Sequence, residues 1–126
     1  MRALFLLTLL SAGCADQPSR VKGELFENGQ PASLPPGAMP SVVFRPLDSN
    51  GRPSETVIHK AVVSPAGSFE YVTGGGELSP GSYQFSLELT GSTRDKYPHL
   101  QPATSRKRID LKPGVNLLRI DLASKD

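Results

Sequence analysis

Ser82-Tyr83-Gln84-Phe85-Ser86-Leu87-Glu88-Leu89-Thr90 carries the clearest structural pattern in the chain. Large apolar side chains and polar side chains alternate along it, a period of two that is typical of a half-buried antiparallel strand. The sequence therefore predicts a buried face made of Tyr83, Phe85, Leu87 and Leu89. It predicts an opposite face, wet or lightly covered, made of Gln84, Ser86 and Glu88.

Six more segments show β patterns between turn-forming residues: 21–27, 41–47, 56–64, 69–72, 104–111 and 115–122. In the last of them, the adjacent Leu117 and Leu118 break the alternation and predict a bulge. Beyond the first residues, no run of helical periodicity is long enough to predict a helix. Seven short strands in a chain with 12 glycines and 12 prolines predict an all-β, seven-stranded antiparallel β-sandwich.

The N-terminus has the layout of a secretory signal peptide. Met1 and Arg2 supply a positive charge, an apolar run from Ala3 to Leu10 follows, and small residues lead to Cys14. The apolar run is too short to span a bilayer, which takes roughly 20 apolar residues. We therefore expect residues 1–13 to be a cleaved signal, 14–20 a polar tether and 21–126 a single folded domain.

Ala12-Gly13-Cys14 resembles the lipobox of bacterial lipoproteins, although Ser11 stands where that family usually has Leu. The resemblance implies that the Cys14 thiol receives a diacylglyceryl group, with palmitate expected among its acyl chains. It also implies a position on the outer side of the cytoplasmic membrane or in the outer membrane. Cys14 is the only cysteine, so no internal disulfide is possible, and acylation would remove an unpaired thiol from an oxidising compartment.

A carboxypeptidase regulatory-like domain is suggested by several short motifs in order. They are Val21-Lys22-Gly23-Glu24-Leu25, Asn28-Gly29-Gln30-Pro31, Ser41-Val42-Val43-Phe44, Gly67-Ser68-Phe69, Ser79-Pro80-Gly81-Ser82-Tyr83 and Lys112-Pro113-Gly114-Val115-Asn116. The sequence departs from that family at Ala66 and in the proline-rich segment before Pro40. The resemblance implies a transthyretin-like (prealbumin-like) sandwich and brings no catalytic residue with it.

The chain lacks the catalytic and metal-binding motifs of several enzyme classes. We therefore expect that it is not an enzyme and that it binds no cofactor and no metal. The two histidines, His59 and His99, belong to no zinc-binding pattern, and no serine lies in a Gly-x-Ser-x-Gly turn. Transthyretin-related hydrolases of a purine breakdown product end in Tyr-Arg-Gly-Ser, whereas this chain ends with residues 123–126, Ala-Ser-Lys-Asp. The formal net charge of +2 argues against nucleic acid as the main partner.

Two charged stretches leave alternatives open. The turn Asp48-Ser49-Asn50-Gly51 is expected to be a hydrogen-bonded turn, because the other oxygen ligands of a calcium loop are missing. The run Arg106-Lys107-Arg108 is expected to protect an edge strand by its charge. Contact of this run with anionic lipid or polysaccharide is the alternative.

The loop from Gly91 to Ala103 is the predicted partner-binding segment, with Arg94, Lys96, Tyr97 and His99 as candidate contacts. Tyr71 and Tyr97 are the only aromatic side chains expected to be exposed, but Tyr97 packing against a sheet end is the competing interpretation. Together these patterns predict a non-enzymatic, lipid-anchored module of the cell envelope that binds the membrane and an unknown protein or glycan. A carbohydrate-binding accessory lipoprotein and a hydrolase of unrecognised type are the alternatives.

Overall fold

The computed structural model describes residues 17–123, and the predictions for Cys14 and for the signal peptide lie outside this range. The described chain forms eight β-strands: β1 Ser19–Glu27, β2 Gln30–Pro31, β3 Ser41–Pro46, β4 His59–Val62, β5 Ser68–Glu70, β6 Gly81–Glu88, β7 Arg108–Leu111 and β8 Gly114–Asp121. The connections contain four short 3-10 turns, Pro36–Ala38, Thr73–Gly75, Gly91–Thr93 and Pro98–Leu100. No helix within residues 17–123 is long and apolar enough to cross a membrane.

The strands form two sheets that pack as an all-β sandwich. In the first sheet β1 is central: β8 runs along nearly its whole length, β5 pairs with its middle and β2 with its end. The second sheet has the order β4-β3-β6-β7, with every pair antiparallel. The all-β, two-layer prediction is confirmed.

Two details of the predicted sandwich are wrong. The sequence predicts sheets that are antiparallel throughout, but β1 and β8 are parallel. The direction of a partner strand could not be predicted, because the alternation of side chains shows only which face of a strand is buried. The predicted strand count was seven, but the structure has eight, because Asn28-Gly29 turns the chain so that β2 pairs back on β1.

The core lies between the sheets and is filled by inward-facing residues of the strands other than β2. Phe44 on β3 is fully buried, and its ring lies 5.8 Å from that of Phe85 and 6.2 Å from that of Phe69. Phe69 crosses over Gly23, where a built Cβ would stand 2.3 Å from the Phe69 ring. Glycine is therefore required at this position of β1 to let the aromatic ring reach the centre of the core.

One face of β6 was predicted correctly and the other was not. Tyr83, Phe85, Leu87 and Leu89 are all buried, which confirms the predicted core face. However, Gln84 and Ser86 on the opposite face are buried too, whereas Glu88 is partly exposed. A loop covers this face of the second sheet: Gln84 Nε2 donates hydrogen bonds to the carbonyl oxygens of Pro102 and Ser105.

Several predicted boundaries also shift. The third predicted strand, 56–64, is reduced to His59–Val62, because Ser54 Oγ accepts hydrogen bonds from the Thr56 and Val57 backbone and holds this segment in a turn. Residues 104–107 likewise lie in a loop before β7. Residues 19 and 20, placed in the tether from sequence, begin β1.

The bulge predicted at Leu117-Leu118 is absent from β8. The ladder with β1 is continuous there, with Leu117 opposite Lys22 and Leu118 opposite Gly23. Leu117 points outward and is exposed, while Leu118 packs on the core. The broken alternation therefore reflects an exposed apolar residue rather than an extra residue in the strand.

Candidate anion-binding site

A basic hollow lies on the outer face of the second sheet, between the loops 47–55 and 102–107. Its volume is about 1140 Å³, and it is lined by both loops and by residues of β3, β6 and β7. The floor is a row across three strands, in which Arg45 on β3 faces Gln84 on β6, and Gln84 faces Arg108 on β7. Because directly opposite residues in an antiparallel ladder point to the same side, these three side chains share one face.

The first wall of the basic hollow is a turn that is fixed by backbone hydrogen bonds. Asp48 Oδ1 accepts hydrogen bonds from the backbone N–H groups of Asn50 and Arg52, at 2.8 and 2.9 Å. Leu47 and Pro53 form an isolated bridge, and the Ser54 N–H donates to the Pro46 carbonyl at 2.9 Å. This confirms the hydrogen-bonded turn predicted at Asp48.

Within residues 17–123, no group of three or more His, Cys, Asp or Glu side chains lies close enough to hold a metal ion.

The second wall is tied to the central strand β6. Besides the two hydrogen bonds from the Gln84 amide, the Ser105 hydroxyl donates to the Phe85 carbonyl, and the Phe85 N–H donates to the Lys107 carbonyl at 2.9 Å. Ser105 is buried. The loop that carries Arg106 and Lys107 is thus held on the sheet, so the shape of the basic hollow is largely set before any ligand binds.

The charge of the lining is strongly positive. Five basic residues line the basic hollow, against two acidic ones, Asp48 and Glu55; the basic residues are Arg45, Arg52, Arg106, Lys107 and Arg108. No carboxylate of residues 17–123 lies within ion-pair distance of Arg45, Arg52 or Arg106. These guanidinium groups are available to an anion.

Arg108 is the exception, because it contacts an acidic neighbour on its own strand. Its Nε lies 3.3 Å from Asp110 Oδ1, and its terminal nitrogen donates to the Ser82 hydroxyl at 2.8 Å. A hydrogen bond from Ser82, followed by the one from Arg108, lowers the pKa of the exposed Asp110 carboxyl. Both side chains of this ion pair are more than half exposed, so solvent screens the pair and it adds little to stability.

Two polar atoms at the floor lack partners. Arg45 Nε and Gln84 Oε1 are buried and have no hydrogen-bond partner among the described residues. A buried polar group without a partner costs about 1–3 kcal/mol. Because Arg45 and Gln84 lie directly opposite each other under the basic hollow, both atoms stand where a ligand could supply the missing partner.

The partner-binding residues predicted from sequence do not form one outward surface. Arg94 and Lys96 are exposed, but Tyr97 is buried and His99 Nε2 donates to the Leu122 carbonyl at 2.7 Å. Lys96 Nζ lies 5.4 Å from the centre of the Tyr97 ring. Tyr97 therefore packs in the core, which favours the competing interpretation of this residue, and a role of Arg94 and Lys96 in binding a partner stays a prediction.

The Tyr97 hydroxyl has no hydrogen bond of good geometry within the described chain. Burial, followed by the nearby Glu27 carboxylate, raises the pKa of Tyr97 to about 12. The buried Tyr97 side chain is therefore not accessible to a partner.

The other aromatic candidate is also buried. Tyr71 is only 7% exposed, and its hydroxyl lies 3.1 Å from His59 Nδ1 with the two rings edge to face. Burial lowers the pKa of His59. The prediction of an exposed Tyr71 is therefore wrong, and this His–Tyr pair is part of the packing between β4 and the segment after β5.

Arg45, Arg52 and Gln84 were not identified from the sequence, although Arg106-Lys107-Arg108 was noted. Arg45 lies at the end of a strand pattern, and Gln84 looked like an ordinary outward-facing residue. The position of Arg45 beside Gln84 depends on the pairing of strands almost 40 residues apart, which no local pattern shows.

Comparisons with known proteins give a fold and no function. No protein-family model and no curated protein matches this chain. The structure is similar to a DUF3823 family protein from Parabacteroides merdae, with a TM-score of 0.53 and 17% identity over 84% of this chain. It is also similar to a DUF3823 family protein from Bacteroides ovatus, with a TM-score of 0.54 and 14% identity over 82%. The chain spans 46% and 44% of those two proteins, and what it shares with them is an all-β fold.

Proposed function

We propose that this protein is a non-enzymatic binding module of the bacterial cell envelope, held to a membrane by a lipid on Cys14, and that the basic hollow is its recognition surface. The finer family assignment, a lipoprotein with a carboxypeptidase regulatory-like, transthyretin-like domain, is part of the same proposal. It is supported by the order of the short motifs along β1, β3, β5 and β6.

The basic hollow is the observation that carries the proposal. It combines three arginines without a carboxylate partner, two walls fixed by hydrogen bonds and unpartnered polar atoms at its floor. A surface that only covers the core has no need of such an arrangement, because each unpartnered group lowers stability. The recognition surface therefore moves from the loop around Tyr97, predicted from sequence, to the outer face of the second sheet.

The absence of enzymatic activity is supported by the surroundings of the two histidines, the side chains best suited to acid–base chemistry at neutral pH. His59 contacts Tyr71 and Tyr83, and His99 donates to a backbone carbonyl. Neither imidazole lines the basic hollow. A general base has to reach the proton that it removes, and here both rings are used in packing.

The lipid anchor is supported by Ala12-Gly13-Cys14 and by the lack of any second cysteine. β1 begins at Ser19, five positions after Cys14. An extended chain of that length reaches about 17 Å, so a lipidated Cys14 would hold the sandwich close to the membrane surface.

The anchor is tested by detergent phase partitioning and by labelling with radioactive palmitate in a bacterial host. The wild type is expected to take up label and enter the detergent phase, whereas Cys14→Ser is expected to lose both properties. Ser11→Leu, which restores the usual lipobox residue, is the matched control and should behave as the wild type does or be processed faster. An unlabelled wild type that partitions into water contradicts the anchor.

The recognition surface is tested by retention on a heparin column, with heparin as a general polyanion. Arg52→Gln and Arg106→Gln are both exposed, so they should leave the fold unchanged and elute at lower salt than the wild type. Arg20→Gln, on β1 in the other sheet, removes the same charge and should elute nearer to the wild type. Equal shifts for all three variants would mean that retention follows net charge alone, which contradicts a localised site.

A further inference from the structure

We propose that the ligand of the basic hollow is an acidic oligosaccharide, a sugar chain that carries carboxylate groups among its hydroxyls. This inference rests on the proposed function, since it names the ligand class of the same site. It follows from the mixture of charges in the lining, from the side chains that the surface lacks and from the shape of the site.

The mixture of charges favours a ligand that carries hydroxyl groups beside its anionic groups. Arg45, Arg52 and Arg106 can each pair with an anionic oxygen, and a guanidinium can hold a carboxylate by two parallel hydrogen bonds. Asp48 and Glu55 line the same hollow. Their carboxylates accept hydrogen bonds from hydroxyl groups, which a sugar chain offers beside its carboxylates and an inorganic polyphosphate does not.

The aromatic side chains of the described chain argue against a neutral sugar. Neutral sugars are commonly held on exposed aromatic rings, and Tyr71, Tyr83 and Tyr97 are all buried here. None of the three lines the basic hollow. Affinity at this site therefore has to come from charge and hydrogen bonding, which requires a charged group on the sugar. Single-stranded nucleic acid is disfavoured for the same reason, since its bases stack on exposed rings.

The shape of the site argues for a chain rather than a flat membrane surface. Two walls, 47–55 and 102–107, enclose the floor row of Arg45, Gln84 and Arg108. Strands in a sheet lie about 4.8 Å apart, so the α-carbons of Arg45 and Arg108 are about 10 Å apart across the floor. An extended sugar chain can lie between the walls and present successive anionic groups to both ends of this row. A planar array of lipid headgroups would reach this row only through single headgroups that project between the walls.

Gln84 acts in this site as a positioning residue. Its amide nitrogen holds the wall residues Pro102 and Ser105 on β6, so its role is to fix the distance between the two walls. Gln84→Met, which is similar in length but has no polar atom, should widen the site and lower the discrimination between ligands. It should not abolish the attraction of anions, because it leaves all the arginines in place.

The experiment is isothermal titration of the full-length protein in detergent with trigalacturonate, and with maltotriose as a neutral trisaccharide. Trigalacturonate should bind and maltotriose should not, and Arg106→Gln should weaken binding about tenfold or more, the loss expected for one charge-assisted hydrogen bond. Arg45→Gln should have a similar effect, and the exposed Arg106 keeps the test informative if that variant folds poorly. Arg20→Gln should bind as the wild type does. Gln84→Met should bind trigalacturonate more weakly than the wild type does and discriminate less well between trigalacturonate and maltotriose.

Three results would overturn the inference: equal binding of maltotriose, unchanged binding by Arg106→Gln, or binding only of phosphatidylglycerol carried in the detergent micelles. These failures differ from a failure of the anchor, since a protein that partitions into detergent and binds no sugar keeps its proposed address. Conversely, if the protein binds trigalacturonate but takes up no palmitate, the proposed ligand class stands and the proposed lipid anchor is wrong.

Discussion

Arg45 and Gln84 lie directly opposite each other on β3 and β6, and each contains a buried polar atom that has no hydrogen-bond partner in the described chain. The two atoms, Arg45 Nε and Gln84 Oε1, lie at the floor of the basic hollow. Such groups lower the stability of the fold, so their presence here indicates a role in binding a ligand. The effect of each side chain on stability can be measured separately from its effect on binding.

The first prediction concerns the floor row. Arg45→Met replaces the guanidinium with a shorter apolar side chain and removes the unpartnered donor, so we expect the free energy of unfolding to stay the same or to rise by about 1 kcal/mol. Gln84→Met instead leaves the Pro102 and Ser105 carbonyls without their donor and should cost about 1–3 kcal/mol. Urea denaturation of both variants gives the comparison. A loss above about 2 kcal/mol for Arg45→Met would show that Arg45 is a structural residue.

The second prediction compares neighbouring residues of β6. Leu87 is buried in the core, and Leu87→Ala should lower the free energy of unfolding by about 2–5 kcal/mol. Ser86 is equally buried, but its hydroxyl has no partner, so Ser86→Ala should be neutral or slightly stabilising. Glu88 forms a half-exposed ion pair with Lys60, and Glu88→Ala should stay within about 1 kcal/mol. A large loss for Ser86→Ala would mean that its hydroxyl is hydrogen-bonded in solution.

The third prediction concerns the contact between Gly23 and Phe69. Gly23→Ala places a methyl group inside the Phe69 ring position and should cost about 1–3 kcal/mol, since the ring has to move within a packed core. Gly37→Ala is the matched control, because a Cβ there meets nothing within 4 Å, and it should change stability by about 0.5 kcal/mol or less. Thermal unfolding of both variants tests the difference. Similar melting temperatures would contradict the packing of Phe69 over β1.

The fourth prediction concerns pH. The pKa of Tyr97 is raised from 10 to about 12 in the folded protein, so above pH 10 the unfolded chain loses this proton first. Stability should therefore be retained below pH 10 and fall as the pH rises from 10 to 12. Tyr97→Phe should flatten this fall in part, and the remainder is expected from Tyr83, whose pKa burial also raises. An unchanged pH profile for Tyr97→Phe contradicts the buried position of the hydroxyl.

At neutral pH, substitutions of Tyr97 test whether its ring belongs to the core or to a partner-binding surface. Tyr97→Phe removes a hydroxyl that lies near the Glu27 carboxylate and should change stability by about 1 kcal/mol or less. Tyr97→Ala removes a buried ring and should cost about 3–5 kcal/mol. If Tyr97→Ala unfolds as the wild type does, the ring is not part of the core and the loop regains its predicted role as a partner-binding segment.

The core of the sandwich could be predicted from the sequence because burial between two sheets leaves a period of two in each strand. The inner face of β6 shows this, as Tyr83, Phe85 and Leu87 are all buried, and so is Leu89 directly after the strand. Its outer face could not be predicted, because Gln84 and Ser86 are buried there, and Gln84 is hydrogen-bonded to Pro102 and Ser105, which follow later in the chain. Nothing in the composition of β6 records this burial.

The candidate site could be predicted only in part, and for a related reason. Arg106, Lys107 and Arg108 are adjacent in the sequence and were noted as basic, but Arg45 joins them only through the pairing of β3, β6 and β7. Tyr97 gave the opposite error: a tyrosine between a lysine and a proline looked suited to an exposed contact. Its ring is buried because the loop packs down, with Leu100 in the core and His99 bonded to Leu122.

The most direct test of the account is to map the binding surface by NMR, following backbone amide shifts of ¹⁵N-labelled protein during titration with trigalacturonate. We expect the shifts to concentrate at the basic hollow, in residues 45–55, at Gln84 and in residues 102–108. Shifts concentrated at residues 91–99 would return the binding surface to the loop around Tyr97. Shifts spread evenly over exposed basic residues of both sheets would contradict a localised site altogether.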